Sequence, residues 1–563
     1  MEHRLNDVPL LASLDAGHQS LLWDPGQASG LLAPLDLRAL AADPHVAEIV
    51  PSLPVQSLYY ALKQQGVEEA LDILPYVSQE QTERMVDYEA WQRDDLQPRK
   101  LFQFVSLFGE VSPELMAERF SELDEEYQLA CLTGRFRVYE AESIMDLPDE
   151  LQERVSTMPC GKVFYEIVTD DADEKALIDQ IFDACKDYNL RYAYSLLAHT
   201  AHMPPHEQEL QLRQFRMARL EEDGFVSFAD SLELFLPFDA GALRQRWSVA
   251  APLGQDAVLE NAASDLAFLD QVFALAQQSA VDLDALFQLH QGFLFLANAM
   301  CAVTQTEAYD FQAVQRLMEQ GKAMVNFGLE SLAQGQVELG LEILLKEPAR
   351  VLFRYGLSLV DQLRGEVLEK LAALGLPRVA ELQKAYQLRQ WGRLLLEIDR
   401  HWLDIIGLEA AETLKGLFNR FPMRPMQTNE EVQRVLFVPI RTRADALEFR
   451  YSLATLLGYF ASVERTGEPL TQPFEVILRD HAIRSLAEGA VGAYAQLETD
   501  IPQLLEAWRD GLRQNAERWM LKGLSIEAVL DDVAALIHNG LHGLIILPSR
   551  RAGGETPNDE ERM

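Results

Sequence analysis

For most of the chain the order of apolar and polar positions is that of helices. In SLPVQSLYYALKQQG, from Ser52, apolar residues return every third or fourth position. The run predicts a helix ending at Gly66, a residue suited to the position just past a helix. VEEALDILP follows, and Ser78 with Gln81 then gives the S-x-x-Q pattern of a capping box at the head of QEQTERMVDYEAW. Ser112 precedes Pro113 in SPELMAERFSEL, and proline is best tolerated at the first helical position, where its missing N–H costs nothing. DEEYQLACL, from Asp124, opens on carboxylates that the positive end of a helix dipole favours. Helices of about 8–12 residues are marginal alone. These are therefore predicted to lie side by side and share apolar faces, as in an α-solenoid.

Further along, GKVFYEIV at 161–168 predicts a strand, and TDDADEKALIDQIFDACKDY a helix opened by acids. Pro204 and Pro205 break the chain, after which HEQELQLRQFRMARLEEDG reads as one long helix ending at Gly224. The richest helical periodicity lies in LENAASDLAFLDQVFALAQQS, EAYDFQAVQRLMEQGKAMVNFGLESLA and ELQKAYQLRQWGRLLLEIDRHWLDIIG, which suit packed antiparallel helices. VLFVPI predicts a short strand, RTGEPLTQP at 465–473 a loop, and helices continue to LIILP at 544–548. The expected fold is all-α: stacked short helices, solenoid-like, plus helical bundle domains with at most a few short strands. The expected organisation is an irregular arm over 1–50, a short-helix superhelical domain over 51–158 and a mixed, mostly helical connector over 159–250. A helical bundle over 251–430, a C-terminal helical domain over 431–548 and a disordered tail over 549–563 complete it.

Length fits several domains, because one hydrophobic core stops growing near roughly 250–300 residues. The apolar share of 48% is enough to fill several cores. The formal net charge is −39. Residues 1–250 hold 45 acidic and 20 basic side chains, a balance of −25, which leaves −14 for the remainder. Such a surface repels phosphate backbones and anionic lipid, so neither nucleic acid nor a membrane surface is an expected partner. A protein with a basic patch is. Cys131, Cys160, Cys185 and Cys301 contain no C-x-x-C pair and are expected to be reduced, buried thiols of a cytoplasmic protein. The N-terminal residues lack the basic and apolar regions of a signal peptide. The most apolar stretch, Gly292–Val303, is shorter than the ~20 residues a bilayer requires, so no membrane insertion is expected.

Two resemblances add to this reading. VEEALDILPYVSQEQTERMVDYEAW and SPELMAERFSELDEEYQLACL resemble the short-helix repeats in the N-terminal superhelical domain of bacterial magnesium channels. That resemblance covers residues 51–158 and implies an acidic, cation-responsive module without the channel. DYEAWQRDDLQPRKL at 87–101 and LRQFRMARLEEDGFVSFADSLELF at 212–235 resemble a family of large bacterial helical proteins known only as a domain of unknown function. This second resemblance spans most of the chain and implies no activity.

The densest metal-like cluster is His199, His202 and His206, with Glu207 and Glu209 beside it. Imidazoles three apart share a helix face, and zinc takes three or four such ligands; Pro204 and Pro205 interrupt the spacing, and a polar interhelix loop is the competing reading. His538 and His542 are spaced to chelate at i and i+4, though Gly540 and Gly543 weaken a helix there. Asp170, Asp171, Asp173 and Glu174 lack the glycine and closing glutamate of a calcium loop, and read as an acidic helix N-terminus. Arg213, Arg216 and Arg219 fall on one helical stripe, suited to an internal ion-pair network or to an anionic ligand. Asp87, Trp91, Asp94 and Arg99 form a polar-aromatic set, with Trp91 expected as a packing anchor. No phosphate-binding glycine loop, dinucleotide fingerprint, nucleophile elbow or kinase set occurs, so no residue is assigned to catalysis or to a cofactor. The expected function is a non-enzymatic helical scaffold or adaptor that binds another protein. The alternatives are a metal-dependent enzyme or sensor using His199, His202 and His206, or a magnesium-responsive regulatory module.

Overall fold

A computed structural model describes residues 35–66, 70–92, 95–202, 205–247, 267–279, 283–376, 378–426, 436–463, 473–487 and 493–551. The N-terminal arm before residue 35, the loop over 464–472 and the tail beyond 551 lie outside the described residues. The fold is predominantly α-helical, and the strands among the described residues are short and antiparallel. No described helix is long and apolar enough to cross a membrane. The described residues fall into two compact units. One is drawn from Met1–Leu236, Ala276–Gly321 and Pro348–Arg350, the other from Pro237–Leu275, Lys322–Glu347 and Val351–Met563.

In the first unit the local signals place the helices. The Val55–Gln65 helix ends at Gly66, which takes a φ of 92° that side-chain-bearing residues avoid. Ser78 and Gln81 exchange both hydrogen bonds of the capping box at the start of Gln79–Glu89. Ser112 caps Pro113–Glu122 with proline at its first turn. The helices Pro98–Gly109, Pro113–Glu122 and Ala172–Tyr188 pack on one another. Beside them lies a three-stranded antiparallel sheet with Val163–Ile167, the predicted strand, at its centre. Its neighbours are Phe136–Glu140 and Ser156–Thr157, neither of which the periodicity marks. Phe136, Tyr165 and Phe182 form an edge-on aromatic cluster with centroids 5.0–5.8 Å apart, which ties sheet to helix.

In the second unit, ELQKAYQLRQWGRLLLEIDRHWLDIIG divides into Val379–Gln387, Trp391–His401 and Leu403–Ile406. Arg389 between the first two takes a φ of 53°, which ends the first helix. Arg364, on Ala349–Ala373, is fully buried. Its Nε donates to the carbonyl of Leu417 at 2.8 Å, Nη1 to Asp361 at 2.9 Å, and Nη2 to the carbonyl of Asn419. Its guanidinium lies 4.6 Å from the Trp391 ring centre. One arginine thus satisfies carbonyls at the end of the Leu408–Phe418 helix, which have no partner inside that helix. VLFVPI forms one strand of a hairpin, Met423–Met426 against Leu436–Pro439. The Ile526–Arg551 helix packs on Arg443–Ala461, Phe474–Ala487 and Ala493–Gln514.

The helices Phe311–Ala333 and Ala349–Ala373 touch backbone to backbone at two glycines. A Cβ added to Gly328 would stand 2.3 Å from the Leu352 carbonyl oxygen, and one added to Gly356 2.4 Å from that of Met324. Backbone cannot yield as a flexible side chain can, so overpacking outweighs alanine's better helix propensity. Gly328→Ala and Gly356→Ala are each expected to destabilise by about 1–3 kcal/mol. Gly365→Ala on the same helix meets nothing within 4 Å, and is expected to be neutral or stabilising by up to ~1 kcal/mol. Denaturant unfolding midpoints of the three variants check this ordering.

Candidate functional site

Two of the sequence candidates converge in the first unit. Asp87 lies on Gln79–Glu89 with its side chain shut off from solvent, and Arg219 lies on Pro205–Glu222. Arg219 grips the Asp87 carboxylate with two donors, Nε to Oδ2 at 2.6 Å and Nη2 to Oδ1 at 3.0 Å. The Tyr127 hydroxyl donates to the same Oδ1, and Trp91 Nε1 donates to the Tyr127 oxygen at 2.8 Å. Arg216, one turn before Arg219, donates from Nε to the Asp87 carbonyl at 3.0 Å and lies 5.0 Å from the Trp91 ring centre. Arg219 reaches on to Asp124 at 3.0 Å. The Arg216 and Arg219 stripe is thus an internal network, and Trp91 is its packed anchor.

A second knot lies one turn away. Arg84 and the Tyr88 hydroxyl both donate to Asp223, and Arg84 also pairs with Glu222 at 2.8 Å. Burial raises the proton affinity of Asp223, and the Tyr88 hydrogen bond and the Arg84 charge pull it back. Burial, then the Asp87 charge, pushes the Tyr127 phenol far above its ordinary range. Burial acts to lower the Arg219 value, but the hydrogen bonds and charge of Asp87 outweigh it and raise it. Every Asp87 oxygen already accepts a protein donor, so the arrangement clasps three helices, Gln79–Glu89, Glu125–Leu132 and Pro205–Glu222.

The other candidates go elsewhere. Arg99 does not join Asp87 and Trp91: it pairs with Asp171 and, at 3.3 Å, with Asp173. The reason is the tight hairpin Trp91–Gln92 against Asp95–Leu96, which reverses the chain before the next helix begins. Asp94 lies outside the described residues. Asp171 caps Ala172–Tyr188 and Glu174 pairs with Arg135 at 3.1 Å, so the acidic run is a helix N-terminus. His199 is exposed on Leu190–His202 and pairs through Nδ1 with Glu125 at 3.0 Å. His202 shares that helix and His206 begins the next one; both side chains lie outside the described residues. Among the described residues no group of three or more His, Cys, Asp or Glu is placed to hold a metal ion. The helix of His538 runs on through Gly540, whose Cβ position lies 2.9 Å from the Tyr459 hydroxyl; close packing, not weakness, explains that glycine. The His542 side chain is also outside the described residues.

Sequence reasoning did not find Tyr127, whose partner Asp87 lies 40 residues away, or the pairing of Asp223 with Arg84, 139 residues away. It also places all four thiols in the interior. Cys131, Cys185 and Cys301 are buried, and burial pushes each thiol up to about 12. Cys160 is a correction: it is exposed on the turn between Ser156–Thr157 and Val163–Ile167. The Tyr194 hydroxyl and the turn amides of Lys162 and Val163 lower its value. A cleft of about 80 Å³ beside Trp508, Asn515 and Arg518 is smaller than the ~300 Å³ at which ligand pockets usually begin.

Asp87→Asn is expected to destabilise the chain by about 3–5 kcal/mol, because it takes from half-buried Arg219 its buried carboxylate and leaves it only the more exposed Asp124. Tyr127→Phe, which removes one hydrogen bond to a charged group, is expected to cost about 1.5–3 kcal/mol. Denaturant titration of both variants checks the order. Of the four thiols, one is expected to react fast with an aromatic disulfide reagent at pH 8 under native conditions, and Cys160→Ser is expected to abolish that phase. The same assay checks the burial of the other three.

No curated protein and no solved structure matches the chain. The likeness of residues 51–158 to the magnesium-channel domain therefore rests on its sequence pattern alone. A family model does match, over residues 33–459, which is most of the chain. The chain belongs to the family of unknown function DUF6178.

Proposed function

We propose that the chain is a bacterial cytoplasmic scaffold or adaptor, without an activity of its own, that binds a basic surface on another protein through an acidic one. The supporting observation is the ordered segment between the strands Phe136–Glu140 and Ser156–Thr157. Glu140, Glu142, Asp146, Asp149, Glu150 and Glu153 are all exposed there, and Met145 stands 77% exposed among them. The segment holds its shape through Ser143 and Asp146, which exchange capping hydrogen bonds. Of the cations at its margins, Arg154 pairs inward with Glu166, while Lys162 pairs with Glu142 at 2.6 Å and leaves the other five acids of the segment to a partner. A dense anionic surface around a flexible apolar side chain suits a basic partner: charge steers the encounter, and a polarisable contact then anchors it. The four free cysteines fit a reducing compartment. A nucleic acid would meet like charge on this surface.

The test is a pull-down with the full chain, from lysate of the source organism, at low and high salt. A partner is expected to be retained at low salt, released at high salt, and lost with the triple variant Asp149→Lys, Glu150→Lys, Glu153→Lys. Absence of any salt-sensitive partner, or full retention by the triple variant, contradicts the reading.

A further inference from the structure

In the first unit, the segment that follows the Pro205–Glu222 helix turns a row of apolar side chains toward solvent. After Gly224, which takes a φ of 83°, Phe228–Ser231 forms one helical turn and Leu232–Phe235 continues it as a 3₁₀ turn. Ser231, Leu234 and Phe235 are buried on the inner side, and the first turn packs on the Leu283–Thr304 helix. The outer side carries Phe228, Leu232 and Leu236, which are 50%, 39% and 55% exposed. The spacing of four residues puts Phe228 and Leu232 on one helical face. Single exposed apolar residues are ordinary. Three large ones in one nine-residue segment mark a contact surface.

Local hydrogen bonds hold this surface in shape. The Asp230 amide donates to Ser227 Oγ at 3.1 Å, and Ser231 Oγ donates to the Phe228 carbonyl at 2.7 Å. Upstream, the Phe225 amide donates to the Leu220 carbonyl at 2.9 Å, and the Phe225 ring lies 5.5 Å from that of Tyr88. A partner would therefore meet side chains already in position, and little ordering entropy is lost on docking.

The charge of the segment says what kind of partner fits. Between Arg219 and Arg244 the chain carries six acids, Glu221, Glu222, Asp223, Asp230, Glu233 and Asp239, and no lysine or arginine. Glu222 and Asp223 are taken up by Arg84. Asp230 and Glu233 are not: both are exposed between the apolar positions, and among the described residues neither pairs with a cation. Anionic lipid would meet like charge here. A cationic surface would find both carboxylates open beside the apolar row.

We propose that the outer face of Phe228–Leu236 docks a cationic amphipathic helix of another protein. The partner sets apolar side chains, repeated every third or fourth residue, against Phe228, Leu232 and Leu236, and lysines or arginines against Asp230 and Glu233. Helical spacing on both sides lets the two apolar rows interdigitate. Burial of the apolar face supplies the affinity, and the acids choose the charge of the partner and the direction in which it lies. This face is a different element from the acidic segment at 140–153, and the proposal does not rest on the role of that segment.

The test is fluorescence anisotropy of a labelled synthetic helix of leucine and lysine, with its leucines on one face, titrated with the full chain. A scrambled peptide of the same composition serves as the control. The amphipathic peptide is expected to bind saturably and the scrambled one to bind at least about tenfold more weakly. The double variant Phe228→Ser, Leu232→Ser is expected to lower the affinity by at least about tenfold with circular dichroism unchanged, since both side chains are anchors at the surface. The second pair, Asp230→Asn with Glu233→Gln, is expected to weaken binding several-fold and to reduce its salt dependence. The triple variant at Asp149, Glu150 and Glu153 is expected to bind the peptide as the unaltered chain does. Equal binding of the scrambled peptide, unchanged affinity in both pairs, or loss of binding in the triple variant overturns the proposal. So does sedimentation showing a dimer that the Phe228 and Leu232 substitutions dissolve, because a second copy would then occupy the face.

Discussion

Taking the Asp87 carboxylate out of water is the step that most constrains the first unit. A buried carboxylate is tolerable only if its charge is matched and its oxygens are hydrogen-bonded. Arg219 supplies the charge and two donors, and Tyr127 supplies a third. Those partners come from two other helices, Pro205–Glu222 and Glu125–Leu132, so satisfying one side chain fixes three helices together. Short helices in this unit have little stability alone; the network gives them one mutual arrangement where apolar contact by itself would permit several. Arg364 does equivalent work in the second unit, where one buried guanidinium satisfies the end of a neighbouring helix.

The pattern of the fold could be read where its causes are local. Capping at Ser78 and Ser112, the acid-opened helix after Asp171 and the stop at Gly66 each depend on a few adjacent residues, and each appears in the structure. The strand over Val163–Ile167 was legible because its apolar run is compact. Phe136–Glu140 was not, since what makes FRVYE a strand is its pairing with residues some thirty positions on, an interaction no short window contains. The same reason hides Met423–Met426, whose partner strand begins at Leu436.

The candidate site was half legible. Helical spacing marked Asp87 with Trp91 as part of a polar-aromatic set, and Arg213, Arg216 and Arg219 as an arginine stripe, but not as partners of each other. Their sequence separation of 132 residues explains why. Arg99 was grouped with Asp87 because the two are near in sequence; the hairpin at Trp91–Leu96 sends it to Asp171 instead. Cys160 shows the opposite limit. A small apolar residue is expected in the interior, and only the position of a turn in a three-stranded sheet puts it at the surface.

The central claim is that Asp87 and Arg219 stabilise the first unit through each other. A double-mutant cycle with Asp87→Asn and Arg219→Gln, followed by denaturant unfolding, measures that coupling directly. A coupling energy of about 1.5 kcal/mol or more is predicted, with the double variant much less destabilised than the two single losses added together. Strict additivity of the two losses would contradict it.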